Sequence, residues 1–148
     1  MVTQGFTIPG ENDINKLVNR SRLLGSDPNL VLYGGGNTSS KIIEKDHLGQ
    51  KHTILRIKGS GCDLKTITEQ DFSGLYLEQL LPLLNQDNMS DEEMVDYLAK
   101  SMVSAAERRP SIETLLHAFI DALHIDHCSS AATISWVATQ SLRSIPPA

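Results

Sequence analysis

Cysteine is scarce in this sequence. Its two thiols, Cys62 and Cys128, are too few for a disulfide framework and lack CxxC spacing, so both read as reduced and incidental. Basic charge is scarce as well: 13 Lys and Arg stand against 18 Asp and Glu, a formal net charge of −5. That balance disfavours nucleic acid as a partner, since its binders carry a basic patch or stripe. No apolar run approaches the roughly 20 residues that span a bilayer. The start, "MVTQGFTIPGEN", lacks the basic and apolar blocks of a secretory leader. Internal repeats and long charge runs are absent too. Together these absences predict a soluble, cytoplasmic protein with neither membrane nor nucleic acid as partner.

What is present suits a single domain over 1–148, with 40% hydrophobic residues to supply a core. Residues 11–25 predict an amphipathic helix, with Ile14, Leu17, Val18, Leu23 and Leu24 as its stripe and Gly25 as its stop. A turn, "SDPN", leads to a short buried strand over 30–33, "LVLY". A hairpin follows, with arms over 38–45 and 53–58 around Gly49, the return arm buried on both faces. "TEQDFSGLYLEQLLPLL" is mixed in pattern and interrupted by Pro82. Ser90 and Glu93 form a capping box. It opens a helix that carries Met94, Tyr97, Leu98, Met102 and Ala105 and stops before Pro110. A further helix starts at Ser111. After Cys128 the composition shifts abruptly to Ser, Ala and Thr, with Trp136 expected to pack.

Two short glycine turns carry the chemistry. Three glycines in "LVLYGGGNTSSKI" permit positive φ, and consecutive N–H groups in such a turn form an anion-binding nest. The spacing matches neither a Walker loop nor a GxGxxG fingerprint. By itself the stretch reads as a tight turn or as a phosphate site. With "KGSG" at 58–61, convergence of both turns on one anion becomes an equal alternative.

Glu113 lies four residues before His117, so the two share a helical face. The other reading is a first-turn glutamate that complements the helix dipole. "HIDH", residues 124–127, adds two histidines and Asp126. Such clusters can hold zinc, whose catalytic sites use three protein ligands. A helix would place both rings on one face; a strand would separate them.

In the order "GGGNTSSK", "LRIKGSGCDL", "PSIETLLHAF", "HIDH", the chain resembles the class II aldolase/adducin family over about residues 11–128. Within it, the aldolase half of bacterial rhamnulose-phosphate aldolase/alcohol dehydrogenase proteins is most similar. The resemblance implies an α/β, three-layer fold with a central, mostly antiparallel sheet flanked by helices. It also implies a homo-oligomer with active sites between subunits. By matching position, it implies that Gly36, Asn37, Ser60, Gly61 and Ser111 bind the substrate phosphate. Glu113 would contact a zinc ion and act as acid/base, and His127 would be the first histidine of an HxH zinc pair. The implied reaction is zinc-dependent cleavage of a phosphorylated ketose such as rhamnulose 1-phosphate. The chain departs from the pattern at Ser129, where the second histidine belongs, and no histidine follows His127. His124 and His117 are the candidate replacements. The expectation is therefore a truncated family member, its fold incomplete at the C-terminus and residues 129–148 a divergent tail, with aldolase activity weak or absent. The alternatives are a non-catalytic adducin-like module or an inactive fragment.

Overall fold

The computed structural model describes residues 13–32, 34–129 and 134–141. The hairpin is its centre. Asp46 accepts the backbone N–H groups of Leu48 at 2.8 Å and Gln50 at 2.9 Å, while Gly49 takes φ +77°. This turn joins β1 (Asn37–Lys45) to β2 (Lys51–Lys58), paired from Ser39↔Ile57 to Lys45↔Lys51. β3 (Phe72–Tyr76) adds to β2, β4 (Ala122–Ser129) to the other edge of β1, and β5 (Ile134–Ser141) to β4. The five-stranded sheet runs β3-β2-β1-β4-β5, antiparallel at every pairing.

Strand periodicity sends alternate side chains to two helical layers. On one face, Leu17 and Val18 of α1 (Asp13–Gly25) pack with Val31, Leu64, Ile67 and Phe72. On the other, Leu55, Ile57 and Leu75 meet three helices. They pack with Leu77 and Leu80 of α2 (Leu77–Leu80), Leu98 of α3 (Asp91–Lys100) and Ala118 of α4 (Thr114–Phe119). Ile54, Leu55 and Ile57 are all buried, so the return arm is covered on both sides. This is the antiparallel sheet flanked by helices that the resemblance implies.

Three local expectations fail, each for a physical reason, and one stretch left without an element becomes a strand. Residues 30–32 form no strand: Leu30 ends a turn and Val31 makes only a single bridge. The Asp27 carbonyl accepts from both Leu30 and Val31 at 3.0 Å, and Tyr33 lies outside the described residues. The 72–76 part of the stretch with mixed pattern is β3, with Gly74 set against the Arg56 guanidinium. α3 stops at Lys100 rather than near Pro110, because the next residues bond to β3. Tyr76 N–H donates to Ser101 O at 2.9 Å and Val103 N–H to Gly74 O at 2.8 Å, which satisfies an edge strand. α4 begins at Thr114, since residues 111–113 form a turn closed by Thr114 N–H donating to Ser111 O. The tail contains β5, whose register sets Trp136 opposite His127. The expected packing of Trp136 concerns a side chain outside those described. Among the described residues, no helix is long and apolar enough to cross a membrane.

Candidate metal centre and its glycine turn

β1 and β4 lie side by side in a register that pairs Asn37 with His127 and Ser39 with Ile125. Opposed residues in an antiparallel pair share a face, so His127 stands beside Asn37. His124 and Asp126 point to the α1 side. There His124 Nδ1 lies 2.9 Å from Ser40 Oγ, and Arg20 Nε donates to Asp126 Oδ1 at 2.8 Å. The strand therefore separates the two histidines of "HIDH", and His124 is not part of the cluster around His127.

α4 supplies the rest of that cluster. Glu113 precedes the helix and its carbonyl accepts from His117 N–H at 3.2 Å, which sets the two residues one turn apart. His127 Nδ1 lies 2.8 Å from Glu113 Oε2. His117 Nδ1 shares a 2.6 Å hydrogen bond with Ser39 Oγ on β1. One donor atom each from Glu113, His117 and His127 fall within 4.8 Å of one another. Burial pushes the His117 imidazole down to about 3, helped by His127 and Lys41 nearby. The ring is neutral at neutral pH, the form in which histidine ligates metal.

The polar turns gather beside this triad. Asn37 Nδ2 donates to Ser111 Oγ at 2.8 Å, and the same oxygen accepts Glu113 N–H at 3.2 Å. Asn37 Oδ1 is buried and has no hydrogen-bond partner among the described residues. Such a group is expensive to leave unpaired. Gly59 bridges Pro110, and Ser60 N–H donates to Arg109 O at 2.9 Å, so "KGSG" lies along the segment that leads to Ser111. Ser60 and Gly61 are exposed, with Gly61 at φ +79°. Gly36 takes φ +72°, and a Cβ there would meet Leu64 Cδ1 at 3.0 Å and His127 O at 3.2 Å. Glycine at 36 thus lets the turn close onto β4.

Sequence reasoning passes over two residues. Ser39, which holds His117, shares the face of Asn37 through the period of two. Lys58 stands at the end of a buried arm just before a glycine turn, and its Nζ reaches the carbonyls of residues 34–36. Cys62 and Cys128 are buried, and burial pushes the Cys62 thiol up.

The sequence profile of the Class II Aldolase and Adducin N-terminal domain matches residues 15–148, so the match continues through the tail. A protein named "Uncharacterized oxidoreductase YuxG", from Bacillus subtilis (strain 168), is 50% identical over 122 residues, which are 82% of this chain and 18% of that protein. The solved N-terminal class II aldolase domain of a conserved protein from Thermoplasma acidophilum superposes with a TM-score of 0.77. It is 45% identical and covers 89% of this chain and 62% of its own. YgbL from Klebsiella pneumoniae, described as a putative aldolase/epimerase/decarboxylase, gives a TM-score of 0.51 at 17% identity, covering 88% of this chain and 47% of its own. That last likeness concerns the fold alone. The chain spans under a fifth of the length of the Bacillus relative and less than two thirds of the Thermoplasma chain.

Proposed function

This chain belongs to the class II aldolase and adducin family, and we propose that it is the sugar-phosphate-binding, metal-dependent part of a carbon–carbon lyase. The observation that carries the reading is the set of donor atoms from Glu113, His117 and His127, within 4.8 Å of one another and beside the Asn37–Ser111 bridge. Two imidazoles and a carboxylate are the donor set of several catalytic zinc sites, which leave a fourth position for substrate. Zinc, when bound, supplies Lewis-acid polarisation of substrate oxygens.

The chain's own residues have separable tasks in this reading. His117 and His127 would hold the ion, His117 kept neutral by burial and oriented by Ser39. Glu113, whose Oε2 lies 2.8 Å from His127 Nδ1, would complete the donor set and carry the proton at its carboxylate. Asn37, Ser111, Ser60 and the backbone of Gly36 and Gly61 hold the phosphate, which positions the reacting carbon. The substrate is a phosphorylated ketose such as rhamnulose 1-phosphate. We further propose that 1–148 acts as one unit, as a homo-oligomer in the cytoplasm.

A second reading, a non-catalytic adducin-like module, is favoured by one observation: Ser129 stands where the family resemblance calls for a second histidine. Release of dihydroxyacetone phosphate from rhamnulose 1-phosphate, measured on zinc-loaded protein, separates the two. The lyase reading expects turnover, with kcat reduced on the order of 100-fold or more in Glu113→Gln. Metal-loaded wild-type protein without turnover on this or related ketose phosphates would favour the module.

A further inference from the structure

We propose that Lys58 is a positioning residue that presets the glycine turn for phosphate without touching the phosphate itself. The inference rests on the phosphate-site reading above. Lys58 is the last residue of β2 and only 5% exposed. Its Nζ lies 3.2 Å from Gly34 O, 3.5 Å from Gly35 O and 2.9 Å from Gly36 O. An ammonium has three donors and no acceptor, and three consecutive carbonyls converge on it here.

That arrangement differs from the lysine of a nucleotide loop, which reaches the phosphate directly. In a trans peptide the N–H points opposite to the C=O, and the described residues contain no cis bond. Gathering the carbonyls of 34–36 on Lys58 therefore turns the N–H groups of Gly36 and Asn37 to the other side, while that of Gly35 closes the turn by donating to Leu32 O at 2.8 Å. Positive φ at Gly34 (+73°) and Gly36 (+72°) makes this possible, and a buried cation on the carbonyl side fixes it. Lys58 has no carboxylate within ion-pair distance among the described residues. Its charge therefore adds positive potential at the turn, where an anion is to bind. A buried lysine with only structural work would be satisfied by any acceptors. Here the acceptors are all one turn, and that turn ends at Asn37.

The test uses the full chain. Titration of wild type with inorganic phosphate examines the phosphate-site reading alone, and absence of binding overturns both that reading and this one. Given binding, Lys58→Met is expected to raise the Kd for phosphate at least tenfold and to speed amide exchange across residues 34–37, with metal content unchanged. Lys58→Gln serves the same purpose if the Met variant does not fold, as judged by thermal melting. Weaker phosphate binding with unchanged exchange at 34–37 would make Lys58 a direct ligand and overturn the proposal. Unchanged affinity in a folded variant would overturn it while leaving the phosphate site standing.

Discussion

His117 lies at 0% exposure under the sheet, its Nδ1 held by Ser39, and burial keeps its imidazole neutral down to about pH 3. An unfolded chain takes up that proton near the ordinary value of 6.5. Between these two values the unfolded state binds more protons, so stability falls as pH falls and is level above 6.5. At ~1.4 kcal/mol per unit the whole window is worth roughly 5 kcal/mol. Urea unfolding of the metal-free chain at pH 7 and pH 4 should show most of this loss, and His117→Gln should remove much of it. Equal pH dependence in the two proteins would mean that His117 is not buried neutral. Part of this was visible in the sequence, where "SIETLLH" sets Glu113 and His117 one helical turn apart. The depth of burial was not, because Ser39 and His117 are 78 positions apart and meet only through the sheet.

Two helix ends carry equally plain signals yet differ in what holds them. At α3, Ser90 Oγ accepts Glu93 N–H at 3.2 Å and Glu93 Oε2 accepts Ser90 N–H at 2.9 Å, an exposed and entirely local box. At the end of α1, a Cβ on Gly25 would sit 2.4 Å from Lys65 N and 2.6 Å from Leu64 C, beside a fully buried Leu64. Ser90→Ala should cost about 1 kcal/mol, the usual loss of a cap. Gly25→Ala should cost more than about 2 kcal/mol, because a core segment of backbone must move. Chemical denaturation of both variants checks the order, and a Gly25→Ala cost at or below that of Ser90→Ala would contradict the packing argument. Sequence reasoning finds both ends because capping chemistry is local. It overruns α3 through Met102 and Ala105 because the apolar spacing continues while the backbone of 101–103 is taken by β3. β3 itself is hidden because Gly74 breaks the pattern for the sake of Arg56, a contact made across the sheet.

At the scale of the whole molecule, the candidate site is a meeting of four segments, 34–37, 58–61, 109–117 and 127, that only the fold brings together. Each segment is conspicuous in the sequence through its glycines, hydroxyls or histidines. Their mutual placement depends on strand register, and one residue of slip in β4 would present Asp126 or Cys128 in place of His127. Register also decides between His124 and His127, which composition leaves as equals. The larger proteins in which related domains occur add sequence that this chain does not span. What the 148 residues test is whether the triad binds metal on its own. Zinc titration of the metal-free chain against a chromogenic chelator tests this most directly. One equivalent is expected to bind in wild type and in His124→Ala, with binding weakened at least tenfold in His117→Gln and lost in His127→Ala. No stoichiometric binding by wild type, or binding that survives His127→Ala and disappears with His124→Ala, would show that Glu113, His117 and His127 are not a metal site.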